Sequence, residues 1–321
     1  MFKKIETENY ARWSLARETF KAPRIATVSP QNEKVLEFEL IEPKYDLSDI
    51  IVSQSTMQEI RSVISLKRDF HKVFEEMGFD GTHRYSKKFI VNFYGESGTG
   101  KTITAHALAK EFGKKILIVD YSQVESKYVG DTPKNLKKIF EFAATENCII
   151  FFDEADAILS RRVTNMQSAT DTSVNQTRSV LLNILNEFDG DIVFATNFLV
   201  NYDPAFMRRI SKHVLFELPD FNARTKLFEK YIPQKLLNEI DVRELADASI
   251  GLSAADIEKG VLMAGFNAVS LGRIILTQDD ILCQMKLILE SKVHNAGDMN
   301  TFTVKSVSKD YVEKQLGKSV S

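Results

Sequence analysis

The chain has 321 residues, 44% of them hydrophobic and 27% charged, which suits two domains or one large domain with an appendage and excludes a single small module, wholesale disorder and collagen-like repetition. Lys and Arg number 42 against 44 Asp and Glu, and the formal charge of −2 gives no global electrostatic pull toward nucleic acid or an anionic membrane. Two cysteines, Cys148 and Cys283, form neither a disulfide framework nor a CxxC metal site, and no apolar run approaches the ~18–20 residues that span a bilayer, so a cytoplasmic protein without membrane insertion is expected.

Residues 1–46 read as a separate small element. Ile5, Tyr10, Trp13 and Phe20 recur raggedly, as on a short amphipathic helix, and Arg24–Val28 and Val35–Ile41 read as a hairpin around Ser29-Pro30-Gln31-Asn32. From about residue 88, short apolar strands alternate with helical stretches, the pattern of an α/β domain on a mostly parallel sheet. Strands are expected at Phe89–Tyr94, Ile116–Asp120, Cys148–Phe152, Ile192–Thr196 and Val214–Leu218. Thr132-Pro133 supplies an N-cap and a first-turn proline for a helix whose Leu136, Ile139, Phe140 and Ala143 share one face. Arg161–Gln176, rich in Thr, Ser, Asn and Gln, is expected to be a long loop. After Pro219-Asp220 the strands stop. Ser253-x-x-Asp256 and Thr277-x-x-Asp280 resemble capping boxes, opening helices with apolar faces Ile257, Val261, Ala264, Ala268 and Ile281, Met285, Ile288, Leu289. The expected division is therefore a small element over 1–46, an α/β domain over 47–218, and a helical domain with a tail over 219–321.

Gly95-Glu96-Ser97-Gly98-Thr99-Gly100-Lys101-Thr102 follows a strand and precedes a helical stretch from Ile103, the context of a Walker A motif. Glycines let backbone N–H groups turn toward phosphates without Cβ clashes, and the helix N-terminus adds partial positive charge. Lys101 is expected to reach the β- and γ-phosphates, and the Thr102 hydroxyl to ligate Mg2+. Cys148-Ile149-Ile150-Phe151-Phe152-Asp153-Glu154, an apolar strand ending in two acids, has the form of a Walker B motif. There Asp153 would hold Mg2+ through its hydration shell and Glu154 would orient and polarise the attacking water. The bland alternatives, a ligand-free glycine turn and a buried strand ending in a solvated acidic turn, lose ground because both motifs occur in one chain in this order.

With these motifs in place, the chain from about Asp46 to Leu289 resembles the AAA+ ATPases, and specifically their protein-remodelling branch, small stand-alone bacterial members included. The resemblance implies a P-loop AAA+ fold: a parallel five-stranded sheet with helices on both faces, followed by a small α-helical lid domain. It implies that Ile50 and Ile51 line the adenine pocket, that the stretch from Gly95 to Ile103 grips the nucleotide, and that Asn197 is the sensor bonding the γ-phosphate and the lytic water. Arg208 and Arg209, in Asp203-Pro204-Ala205-Phe206-Met207-Arg208-Arg209, look like arginine fingers that reach a neighbouring subunit's γ-phosphate. Lys127-Tyr128-Val129-Gly130 is similar to the first pore loop of protein-threading members, and Arg161–Gln176 stands where the second would be. Gly251-Leu252-Ser253-Ala254-Ala255-Asp256 looks like the lid motif, in which Ala254 and Ala255 come close to adenine and ribose; the family usually has glycine where Ala254 stands. The finger turn lacks the Arg-Pro-Gly-Arg of proteasomal and membrane-protease ATPases and resembles that of katanin, spastin and the ESCRT-disassembling ATPases. No HExxH occurs, and His71, His83, His106, His213 and His294 nowhere pair at metal-ligand spacing.

The expected function is a homohexameric, Mg2+-dependent ATPase that unfolds, threads or dismantles an unidentified protein partner, with residues 1–46 as the contact to substrate or adaptor. A nucleic-acid machine of the helicase-loader or branch-migrator type is the alternative. Against it stand the near-neutral charge and Glu187-Phe188-Asp189-Gly190-Asp191, which runs straight into the sensor strand and leaves no room for a hairpin insertion. A nucleotide-gated scaffold without turnover conflicts with the presence of Glu154 and both arginines.

Overall fold

Residues 39–83, 88–120, 131–160, 169–197 and 202–297 are described by a computed structural model. The chain divides into two units, with the boundary between Asp220 and Phe221. In the first, the order is β1 (Glu39–Ile41), α1 (Gln54–Arg68), β2 (Phe89–Gly95), α2 (Lys101–Glu111), β3 (Ile116–Asp120), α3 (Asp131–Glu146), β4 (Ile149–Asp153), α4 (Asp156–Leu159), α5 (Ala169–Glu187), β5 (Asp191–Thr196), α6 (Pro204–Met207) and β6 (Lys212–Phe216).

The strands form one sheet in the order β1-β3-β4-β5-β2-β6. β2 to β6 are parallel and β1 lies antiparallel on β3. Parallel strands covered on both faces read as unbroken apolar runs, because each alternate residue meets a different core. Phe89, Val91, Phe93, Ile149, Phe151 and Val193 pack with Ile60 and Val63 of α1 and Leu108 of α2. Ile90, Ile150, Phe152, Ile192 and Phe194 face Leu136, Ile139 and Phe140 of α3 and Leu181 and Leu185 of α5. β2 sits between β5 and β6, whereas the next strand in sequence, β3, lies beyond β5 and β4. The strand order reverses at β2, and ligands of such sheets bind in the crevice outside the strands' carboxyl ends at that point.

Several expectations are corrected. The five parallel strands have a sixth, antiparallel neighbour: of the predicted strand Val35–Ile41, Glu39–Ile41 pairs with Ile116–Ile118 of the main sheet. The remainder of the predicted helix and hairpin lies outside the described residues. α3 begins at Asp131, so Thr132 and Pro133 occupy its first turn instead of preceding it. The predicted loop Arg161–Gln176 is helical from Ala169 onward, with residues 161–168 outside the described set. The polar residues from Thr170 to Gln176 belong to the start of a helix whose later Leu181, Leu182 and Leu185 are buried, and packing of that apolar half outweighs weak local propensity. Helix α1 was not anticipated; Ser53 caps it by accepting from Thr56 N at 3.2 Å, and Ile60, Val63 and Ile64 supply its buried face.

The second unit is helical: α7 (Phe221–Tyr231), α8 (Val242–Ala248), α9 (Ala254–Ser270) and α10 (Gln278–Gly297). Both predicted capping boxes form. Ser253 N donates to the Asp256 carboxylate at 2.9 Å while Asp256 N donates to Ser253 Oγ at 3.3 Å, and Thr277 and Asp280 repeat the pair at 2.9 and 3.4 Å. Ile257, Val261, Ala264 and Ala268 of α9 and Ile281 and Met285 of α10 are buried. Among the described residues no helix is long and apolar enough to cross a membrane.

Candidate active site

The carboxyl end of β2 turns into α2 through Gly95, Gly98 and Gly100 at φ of +142°, +75° and +101°. Gly95 has no room for a side chain, since a Cβ there would stand 2.1 Å from the Phe216 carbonyl oxygen of β6. Gly100, the residue before α2, lies against the predicted base-binding segment: a Cβ on it would be 4.0 Å from Val52. Ile50 is buried and Ile51 half-buried. That segment is fastened to β6 by side chains that sequence reasoning missed, with Ser55 Oγ donating to Glu217 at 2.8 Å and Thr56 Oγ1 donating to the Leu215 carbonyl at 3.0 Å. Glu96 and Ser97 stand exposed at the tip of the loop, and Thr99 is buried, its hydroxyl donating to the Glu96 carbonyl at 2.8 Å. Ile103 packs at the edge of the core between sheet, α1 and α2.

Lys101 is 8% exposed, and its Nζ donates to the carbonyls of Gly95 at 2.6 Å and Glu96 at 2.9 Å and to Asn197 Oδ1 at 3.2 Å. Burial pulls the pKa of this ammonium down, and the carboxylates of Asp153, Asp156 and Glu96 act against that shift. Thr102 is exposed, and its hydroxyl donates to Asp153 Oδ2 at 3.1 Å. A hydroxyl and a carboxylate oxygen side by side at a helix N-terminus are hard donors of the kind that suit Mg2+, which commonly takes one or two protein oxygens and completes its shell with phosphate and water. Among the described residues no group of three or more His, Cys, Asp or Glu forms a cage for a more fully protein-bound ion.

Glu154 is exposed and adopts φ +51°, a left-handed conformation unusual for a residue with a side chain. Its N–H donates to Asp153 Oδ1 at 3.0 Å, so the turn that projects Glu154 outward is held by the neighbouring acid. Asn197, just past β5, is brought to the same end of the sheet. The arginines part company. Arg208 is exposed and its guanidinium makes no hydrogen bond or ion pair among the described residues, whereas Arg209 Nε donates to Asn186 at 2.8 Å and its Nη1 to the Ala205 carbonyl at 2.7 Å. Arg209 braces the turn within its own chain. Ala254 and Ala255 open α9 in the second unit. Lys127, Tyr128, Val129 and Gly130 lie outside the described residues.

The family model described as "ATPase family associated with various cellular activities (AAA)" matches residues 91–218. The chain is 32% identical over 289 residues to the proteasome-activating nucleotidase of Pyrococcus horikoshii, an alignment covering 87% of this chain and 70% of that protein. The chain belongs to the AAA ATPase family. Other AAA relatives are the 26S proteasome regulatory subunit 4 homolog of Schizosaccharomyces pombe, 32% identical over 259 residues and 78% of this chain, and the proteasome-activating nucleotidase of Pyrococcus abyssi, 32% identical over 272 residues and 81%. The chain spans 56% and 66% of the length of these two proteins. These AAA relatives are of the proteasomal type, not the katanin or spastin type that the finger turn brings to mind.

Proposed function

We propose that the chain is a Mg2+-dependent ATPase that works as a homohexamer in the cytoplasm and uses hydrolysis to unfold, thread or dismantle a protein partner. The observation that carries this reading is the convergence, at one end of the sheet, of Lys101 on Asn197 and of Thr102 on Asp153, with Glu154 projecting beside them. The turn of three left-handed glycines and the N-terminus of α2 supply N–H donors and partial positive charge for the phosphates, for which Lys101 exchanges the loop carbonyls it now holds. Thr102 and Asp153 would hold Mg2+, which supplies neutralisation of charge on the β- and γ-phosphates. Glu154 accepts a proton from the attacking water and aims it, and Asn197 fixes the water against the γ-phosphate. Ile50 and Ile51 flank the base. Arg208, exposed and unpaired among the described residues, serves a neighbouring copy's γ-phosphate, while Arg209 holds the finger turn in shape.

Action on a protein is supported by the relatives' names, which speak of proteasome activation, and by a net charge of −2 that offers nucleic acid no attraction. Tyr128 and Val129 are proposed to grip the partner, with Lys127 and Gly130 flanking them. The test is Glu154→Gln. Binding of Mg-ATP is expected to stay within about threefold of wild type and phosphate release to fall by at least ~100-fold, because only the water-activating group is lost. Undiminished turnover in the variant would contradict the assignment.

A further inference from the structure

Asp156 opens the single-turn helix α4, two residues beyond Glu154, and its carboxylate accepts the backbone N–H of Asn197 on both oxygens, at 3.2 and 3.0 Å. That N–H lies one residue past the end of β5, where the strand ladder no longer supplies an acceptor. The side chain of Asn197 is turned the other way, its Oδ1 accepting from Lys101 at 3.2 Å. The sensor is thus held at two points: its backbone by Asp156 and its amide by the Walker lysine. Clamping the backbone N–H fixes the Cα from which the Asn197 side chain swings, and the bond from Lys101 then selects the χ1 rotamer that aims its amide.

The rest of α4 is anchored independently. Ala155 N donates to the Ala195 carbonyl at 2.9 Å, Asp203 N donates to the Leu159 carbonyl at 3.0 Å, and Ser160 bridges Tyr202. Removing the Asp156 acceptors therefore leaves α4 tied to β5 and to the segment leading into the finger turn, while the backbone N–H of Asn197 loses the carboxylate that holds it. We propose that Asp156 is a positioning residue for ATP hydrolysis, acting through Asn197 by fixing the backbone from which the sensor amide is presented to Lys101 and the γ-phosphate. The inference rests on the reading of Lys101 and Asn197 as parts of an ATP site.

The test is Asp156→Asn, which keeps the shape and removes the charge and one acceptor, assayed beside wild type, Asn197→Ala and the double variant. Expected are a kcat lowered by about tenfold or more, a Kd for Mg-ATP within about threefold of wild type, and a double variant within about twofold of Asn197→Ala alone, since a residue that acts chiefly through Asn197 has little left to act on. A wild type without turnover overturns the ATPase reading and this inference with it. A wild type that turns over beside an equally fast Asp156→Asn, or losses that multiply in the double variant, overturns the inference alone. If Asp156→Asn melts more than about ten degrees below wild type, Asp156→Glu is assayed below its own melt; it keeps the charge on a longer arm, and a kcat equal to wild type overturns the proposal just as well.

Discussion

Replacing Gly95 by alanine places a methyl group 2.1 Å from the carbonyl oxygen, 2.9 Å from the carbonyl carbon and 3.2 Å from the Cα of Phe216. All three are backbone atoms of β6, paired with Gly95 in register, so no rotamer change relieves the contact. Relief requires the ends of β2 and β6 to separate by about 1 Å, which breaks the last rung of the ladder at a cost of about 1 kcal/mol, and the residue must still hold a φ of +142°, worth roughly 1–3 kcal/mol more for a side-chain-bearing residue. The sum, about 2–4 kcal/mol, lowers the thermal midpoint of a unit of this size by roughly 5–15 °C. Gly95 also lends its carbonyl to Lys101 at 2.6 Å, so moving it displaces the ammonium, and Mg-ATP affinity is expected to fall by about tenfold or more. Gly113→Ala is the control: Gly113 sits at φ +63° with nothing within 4 Å, so its cost stays near 1 kcal/mol and nucleotide binding is unchanged. A Gly95→Ala protein that melts with wild type and binds Mg-ATP equally well refutes the close approach of β2 to β6 and the role of this turn.

Asp191, 1% exposed at the amino end of β5, is paired with Lys67 of α1 and, at 2.9 Å, with Lys114. Asp191→Asn leaves two partly solvated lysines without their carboxylate and should cost about 2–4 kcal/mol in urea unfolding, with Mg-ATP affinity unchanged because the pair lies at the opposite end of the strand from Asn197. Burial pushes the His213 imidazole down to about 4. Because the unfolded chain then takes up a proton first, stability present above about pH 6.5 is lost as pH falls toward 4 and levels off below it, a loss of roughly 2–4 kcal/mol that His213→Gln should abolish in pH-resolved melts.

What was legible in the sequence was local. The strand, glycine turn and helix around Lys101 occupy consecutive residues, and Ser253 with Asp256 and Thr277 with Asp280 sit three apart, so spacing alone reads them. Contacts between distant residues were not legible. Nothing in Leu40 and its neighbours distinguishes a hairpin strand from an edge strand on Ile116–Ile118, and nothing in Asp156 announces that it accepts from a residue 41 positions away. Ser53 before Ile60, Val63 and Ile64 was a usable helix signal for α1, since a capping serine precedes apolar residues at helical spacing. The polar start of α5 offered no such signal, because its helicity rests on leucines at the far end of the element. Arg208 and Arg209 are alike in sequence, and only the acceptors on Asn186 and Ala205 separate a brace from a guanidinium that is unpaired among the described residues.

The central claim is an ATP site completed by a neighbouring copy, and the most direct measurement is ATP turnover in mixtures of two inactive variants. Arg208→Ala retains Lys101, Thr102, Asp153, Glu154 and Asn197 but has no finger to offer, while Lys101→Ala offers Arg208 but cannot grip phosphate. Each alone is expected to release phosphate at least ~100-fold more slowly than wild type, and mixing them should restore part of the activity through interfaces that pair an intact site with an intact finger. Mixtures no more active than the separate variants, or an Arg208→Ala protein as fast as wild type at every dilution, would contradict the account.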